Sequence, residues 1–136
     1  MTDCNVCIDQ DGGENAEFWA VKVLVGRHAY RCYECGDEIH ASVPHQKITM
    51  KYDGTWTSVR TCLACVEIHR ALSCNGYRCT GSLWEDLQEY VFPTMTRACI
   101  EKCQTVAAKQ KLTDRWNAWR FHAGNLACPP PFEPMS

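Results

Sequence analysis

No stretch of this 136-residue chain approaches the roughly 20 consecutive apolar residues that a membrane-spanning helix needs. The start, Met1-Thr2-Asp3-Cys4-Asn5, carries neither a basic nor an apolar leader. A basic excess is also missing: 14 Lys and Arg stand against 16 Asp and Glu, a formal charge of −2. That balance argues against a protein built as a whole to embrace polyanions. Internal repeats are absent apart from paired cysteines, and the one low-complexity tract is Pro129-Pro130-Pro131. The expectation from these absences is one domain with no membrane partner, kept in a reducing cytoplasm.

Cysteine is what the chain has in quantity: 11 residues, about 8% of the total. That density belongs either to a disulfide scaffold or to a metal protein. The odd count and the C-x2-C spacing favour metal. With 46% apolar residues the chain can also bury an ordinary core, so a metal would supplement that core. Each four-thiolate zinc site adds about −2 to the formal charge, which takes the protein further from a polyanion binder.

The strongest signal is Cys32-Tyr33-Glu34-Cys35-Gly36, followed by Cys62-Leu63-Ala64-Cys65. Each pair can place two sulfurs on one ion from a single tight turn, and Gly36 supplies the permissive backbone after the first. Between the pairs, Asp53-Gly54 is a two-residue hairpin signal. It sets Tyr52 opposite Thr55, Lys51 opposite Trp56, Met50 opposite Thr57, Thr49 opposite Ser58 and Ile48 opposite Val59. Ile48, Met50, Tyr52 and Val59 then share a core face, while Lys47, Lys51, Trp56 and Arg60 share the other. After Cys62 the pattern turns helical through Leu63, Val66, Ile68 and Leu72, with Thr61 as the expected cap. Knuckle, hairpin, then two ligands at a helix start is the treble-clef order. Zn2+ at Cys32, Cys35, Cys62 and Cys65 is the primary expectation.

A second zinc is expected from Cys4, Cys7, Cys74 and Cys79. Cys4 and Cys7 form a third C-x2-C pair, and Cys74 and Cys79 flank an Asn-Gly turn. Disordered thiols at the first pair and small core residues at the second are the alternative. Cys99 and Cys103 lie four apart on one helical face, a spacing more often of packing than of ligation. His28, His40, His45, His69 and His122 are scattered. A His-Asn-His nuclease would need an Asp-His dipeptide before the hairpin and a suitably placed second His on the following helix, and neither is present. No enzyme is expected, because four protein ligands leave no open position on the metal.

The remaining elements are coarser. Residues 1–17 read as an acidic irregular arm, and Phe18 to Val25, with Trp19, Val21, Val23 and Val25 alternating, as an extended segment. Ser82-Leu83-Trp84-Glu85 is a capping box that opens a helix to Val91, closed by Pro93. A helix from about Met95 to Lys111 and a last one capped by Thr113 follow. The fold class is therefore α+β: a treble-clef core over 28–74, a helical part over 82–123 with about three helices, and a Pro-rich tail over 128–136.

Cys32-x-Glu34-Cys35, Asp53-Gly54-x-Trp56, Thr61-Cys62-x-x-Cys65, the cysteine-rich turn 74–79 and Gly81-x-Leu83-Trp84-Glu85-Asp86-Leu87 together form a pattern. It resembles a group of small zinc-binding proteins of tailed bacteriophages and prophages, over roughly half the chain. Those proteins commonly have a Pro-Gly turn after the first knuckle, where this chain has Ala41-Ser42-Val43-Pro44. The resemblance implies a phage gene product with a zinc-stabilised core, and no activity. The expected role is that of a non-enzymatic protein that binds a host or phage macromolecule, most naturally a protein that it inhibits or redirects. The alternative is a nucleic-acid-binding accessory protein using Trp56 with Lys47, Lys51 and Arg60, or the basic 97–120 helix. If Trp56 lies instead beneath the C-terminal helices, it is ordinary core.

Overall fold

Five strands and four helices follow one another in a computed structural model that describes residues 4, 6–8, 18–73 and 81–122. Strand β1 (Phe18–Val25) pairs antiparallel with β4 (Pro44–Tyr52), which pairs antiparallel with β5 (Thr55–Cys62), so β4 is central. The hairpin register is the one the Asp53-Gly54 turn dictates, from Tyr52↔Thr55 to Ile48↔Val59. Both turn residues have positive φ, 48° and 78°, as a type I′ turn requires. A second, two-stranded sheet, β2 (Tyr30–Arg31) with β3 (Glu38–Ile39), brackets the first cysteine pair.

Helix α1 (Leu63–Ala71) starts directly from β5. Its N-cap is Cys62 rather than Thr61, and no side chain caps it. Helix α2 (Leu83–Asp86) continues through a wider π-type turn to Val91, where the Phe92 amide bonds the Leu87 carbonyl five residues back. The expected capping box does not form. Ser82 Oγ donates to Asp86 Oδ2, and the Leu83 amide is taken by Glu34 Oε1 from the cysteine knuckle.

Helix boundaries in the C-terminal part also differ from expectation. The long helix ends early, as α3 (Arg97–Glu101), and α4 (Val106–His122) runs unbroken through Thr113, which is fully buried. The break has a local cause. Glu67 on α1 accepts hydrogen bonds from the amides of Gln104 and Thr105, and Thr105 Oγ1 accepts from the Ala108 amide. Thr105, not Thr113, is the cap.

The main core lies among the helices, built on Ile68, Leu72, Leu83, Leu87, Phe92, Ile100, Leu112 and Trp116. Cys32, Cys65 and Ile39 join it from the knuckle side. Ile8 joins as well, fully buried, its amide donating to the Leu72 carbonyl. The N-terminal segment is therefore not wholly an arm, because part of it is built into the helical core. Ile48, Met50 and Val59 form a separate small cluster with Tyr52 against it. The expected core face of the hairpin is buried, but as a satellite of the main core. Beside it on the same face, the β1 residues Val21, Val23 and Val25 are exposed.

Candidate metal centre

Four sulfurs converge where the knuckle, the end of β5 and the start of α1 meet. The ligand atoms of Cys32, Cys35, Cys62 and Cys65 all lie within 4.8 Å of one another, close enough to hold a metal ion. Cys35 Sγ and Cys62 Sγ are 3.9 Å apart. A tetrahedron with metal–sulfur bonds of about 2.3 Å has edges of about 3.8 Å, so this edge fits a four-sulfur ion such as zinc. Cys32 and Cys65 are buried and the other two half-buried.

Backbone geometry explains the convergence. The knuckle turns through the Gly36 amide bonding the Cys32 carbonyl, with Gly36 at φ +77°. Cys62 caps α1 and Cys65 sits in its first turn, where unpaired amides favour thiolate. The amides of Cys35 and Cys62 both point at Cys32 Sγ, at 3.5 and 3.3 Å. Cys32 is held far below the ordinary thiol range by hydrogen bonds from Cys35, then Cys62 and Cys65. Cys65 is pushed the other way by its contacts with Cys32, Cys35 and Cys62 and by burial. Without metal the cluster's negative charge thus falls on Cys32 and Cys35, both held below the ordinary thiol range; with metal all four become thiolates.

Two cations from α4 complete the surroundings, and no spacing in the sequence announces them. Lys111 Nζ lies 3.1 Å from Cys35 Sγ and also pairs with Asp37. Burial alone would lower the Lys111 pKa, but the hydrogen bonds to Asp37 and Cys35 outweigh it and raise it. Arg115 Nη2 donates to the Cys35 carbonyl at 2.8 Å, and its guanidinium lies over the Trp84 ring. Glu34, inside the knuckle, is pushed up by burial despite accepting the Gly81 and Leu83 amides. One six-residue stretch thus anchors both the metal cluster and α2.

The second expected metal set is corrected. Cys4 is bonded to Cys99 in a disulfide with Cα atoms 4.7 Å apart, and Cys7 is disulfide-bonded too. A disulfide sulfur has given up the thiolate that a metal needs. Cys74 and Cys79 lie outside the described residues, as do the Pro-rich tail and most of residues 1–17. A disulfide also fits poorly with a reducing compartment. Cys103 is a buried thiol, pushed up to about 11 by burial and by the nearby Glu67 charge.

Trp56 is 57% exposed, so it is not core beneath the helices. Its ring meets Phe18 edge-on at 5.2 Å, and Lys51 Nζ stands 5.5 Å from its centroid. Lys47 and Lys51 share its face, and β1 pairing adds Phe18 and Lys22. The alternation of residues 18–25 signals a strand, but nothing in it says which strand is its neighbour. Arg60, on the same face, is engaged within the molecule: its Nη1 lies 2.8 Å from His45 Nε2 and its guanidinium 4.0 Å from the Tyr30 ring centre. That contact fixes His45, which is fully buried with Nδ1 on the Val43 carbonyl. In the basic 97–120 segment, cations are engaged within the molecule at Lys109 on Glu101, Lys111 and Arg115 on the knuckle, and Arg120 over Trp116, while Arg97 and Lys102 are exposed.

Comparison with protein-family models, curated proteins and solved structures finds no match to this chain.

Proposed function

We propose that the chain is a non-enzymatic, zinc-stabilised binding protein with a treble-clef core, acting through the exposed lysine face of its sheet. One observation carries the reading: four cysteine sulfurs within 4.8 Å of one another supply every position of a tetrahedral ion. A site closed in that way holds structure and leaves no place for water or substrate. The treble clef is supported by the order of parts, with a knuckle first, then the β4–β5 hairpin, then α1 bearing the last two ligands at its start. The resemblance to phage proteins makes a host or phage macromolecule the natural class of partner.

Elemental analysis of untagged protein should give one zinc per chain. Cys62→Ser should lose the ion and give insoluble or chelator-sensitive protein, since structural zinc is worth on the order of 10 kcal/mol. A variant that keeps native circular dichroism and melting temperature without metal would end this reading.

A further inference from the structure

The exposed face of the three-stranded sheet carries Phe18 and Lys22 from β1, Lys47 and Lys51 from β4, and Trp56 and Ser58 from β5. These residues fall in two rows. Phe18, Lys51 and Trp56 lie side by side across the strands, and Lys22 and Lys47 form a second row. Four residue steps along β4, from Lys47 to Lys51, separate the rows by roughly 13 Å of extended strand. No Asp or Glu shares this face on any of the three strands.

We propose that this face binds single-stranded nucleic acid, with Trp56 and Phe18 stacking on bases and the three lysines meeting phosphates. The inference rests on the reading of the chain as a binding protein and names its partner. Three features favour a nucleic acid over an acidic protein. Trp56 and Phe18 are 57% and 46% exposed and adjoin edge-on, so they offer flat, open ring surface to a π-face. The positions between the two rows are filled by Ala20, Thr49 and Ser58, small side chains that give no deep apolar pocket for a protein side chain to enter. Across the first row Lys51 stands between Phe18 and Trp56, and the lysines of the second row lie beyond, so rings and cations share one face as a chain of bases and phosphates requires. A duplex would bury its bases from these rings, so the single strand is the fitting form. The overall negative charge confines the attraction to this patch and makes binding weak and strongly salt-dependent.

The test is fluorescence anisotropy of the zinc-loaded protein with labelled oligothymidylate about a dozen nucleotides long. Oligouridylate, a hairpin duplex and polyglutamate serve as parallel arms. Binding should tighten as salt falls, with a log–log slope near −2 for three lysines on a single strand. Trp56→Ala should weaken it about 5- to 150-fold while Trp56→Phe restores most of it. Lys51→Gln should flatten the salt slope by about 0.7. Preference between oligothymidylate and oligouridylate identifies DNA or RNA as the ligand, and either one supports the inference. Tighter binding of polyglutamate or duplex, or indifference to Trp56→Ala, overturns it. Zinc content and melting temperature are read on the same samples. Folded, zinc-loaded protein that ignores the oligonucleotides sinks the nucleic-acid partner and spares the zinc protein. Folded protein without zinc sinks the reading beneath it.

Discussion

Lys111 reaches Cys35 Sγ across 76 positions of sequence and gives one thiolate a fixed cationic partner. Removing it as Lys111→Met should lower zinc affinity about 10-fold, within the range of other residues that hydrogen-bond metal ligands. Lys111→Arg should recover part of that loss. Competition against a chromophoric chelator reads both, and equal affinities for the three proteins would show that the contact does nothing for the metal. Cys103 offers a second residue-scale test. Its thiol is raised from about 9 to about 11 by burial, so the folded state holds the proton more tightly than the unfolded chain. The contribution is complete below pH 9 and lost as pH climbs through 11. Relative to Cys103→Ala, wild-type stability should therefore fall by roughly 1–2 kcal/mol over that window in urea melts. Parallel pH profiles would contradict a buried, protonated thiol.

At the scale of elements, what the sequence made legible was local. Asp53-Gly54 fixed the hairpin register because turn geometry and a period of two leave one solution. The two C-x2-C pairs revealed the four-cysteine cluster because each needs only its own turn. Failures came where a partner lay far along the chain. Glu67 is 37 residues from Gln104, yet its carboxylate decides that α4 begins after Thr105. Glu34 displaces the expected capping box of α2 in the same way. Cys4 paired with Cys99, and no spacing rule spans that separation of 95 residues. The joint between α1 and α4 is itself testable. Glu67→Ala should cost about 1 kcal/mol, as the loss of an N-terminal cap does. Amide exchange at Gln104 and Thr105 should speed up while the knuckle stays protected. Unchanged exchange there would mean that Thr105 alone holds the helix start.

Among the described residues, the four-cysteine cluster and the Cys4–Cys99 disulfide are two fastenings that tie distant parts of the chain together. A cross-link over so long a loop stabilises by about 2–4 kcal/mol in typical cases. Cys4→Ser should lower the urea midpoint accordingly and leave the zinc content at one per chain. Simultaneous loss of zinc would mean that the two fastenings form a single cooperative unit. Their reach along the chain also sets an order in time. The four cysteines of the cluster are complete once residue 65 has been made, whereas Ile8 finds its seat against Leu72 and the helices only later, and Cys4 must wait for residue 99. At synthesis rates of about 5–20 residues per second, that interval lasts a few seconds. During it the nascent protein would carry a closed middle and a loose beginning. Ribosome-stalled chains long enough to expose residue 65 should already retain zinc, while their first residues stay open to protease until α3 emerges.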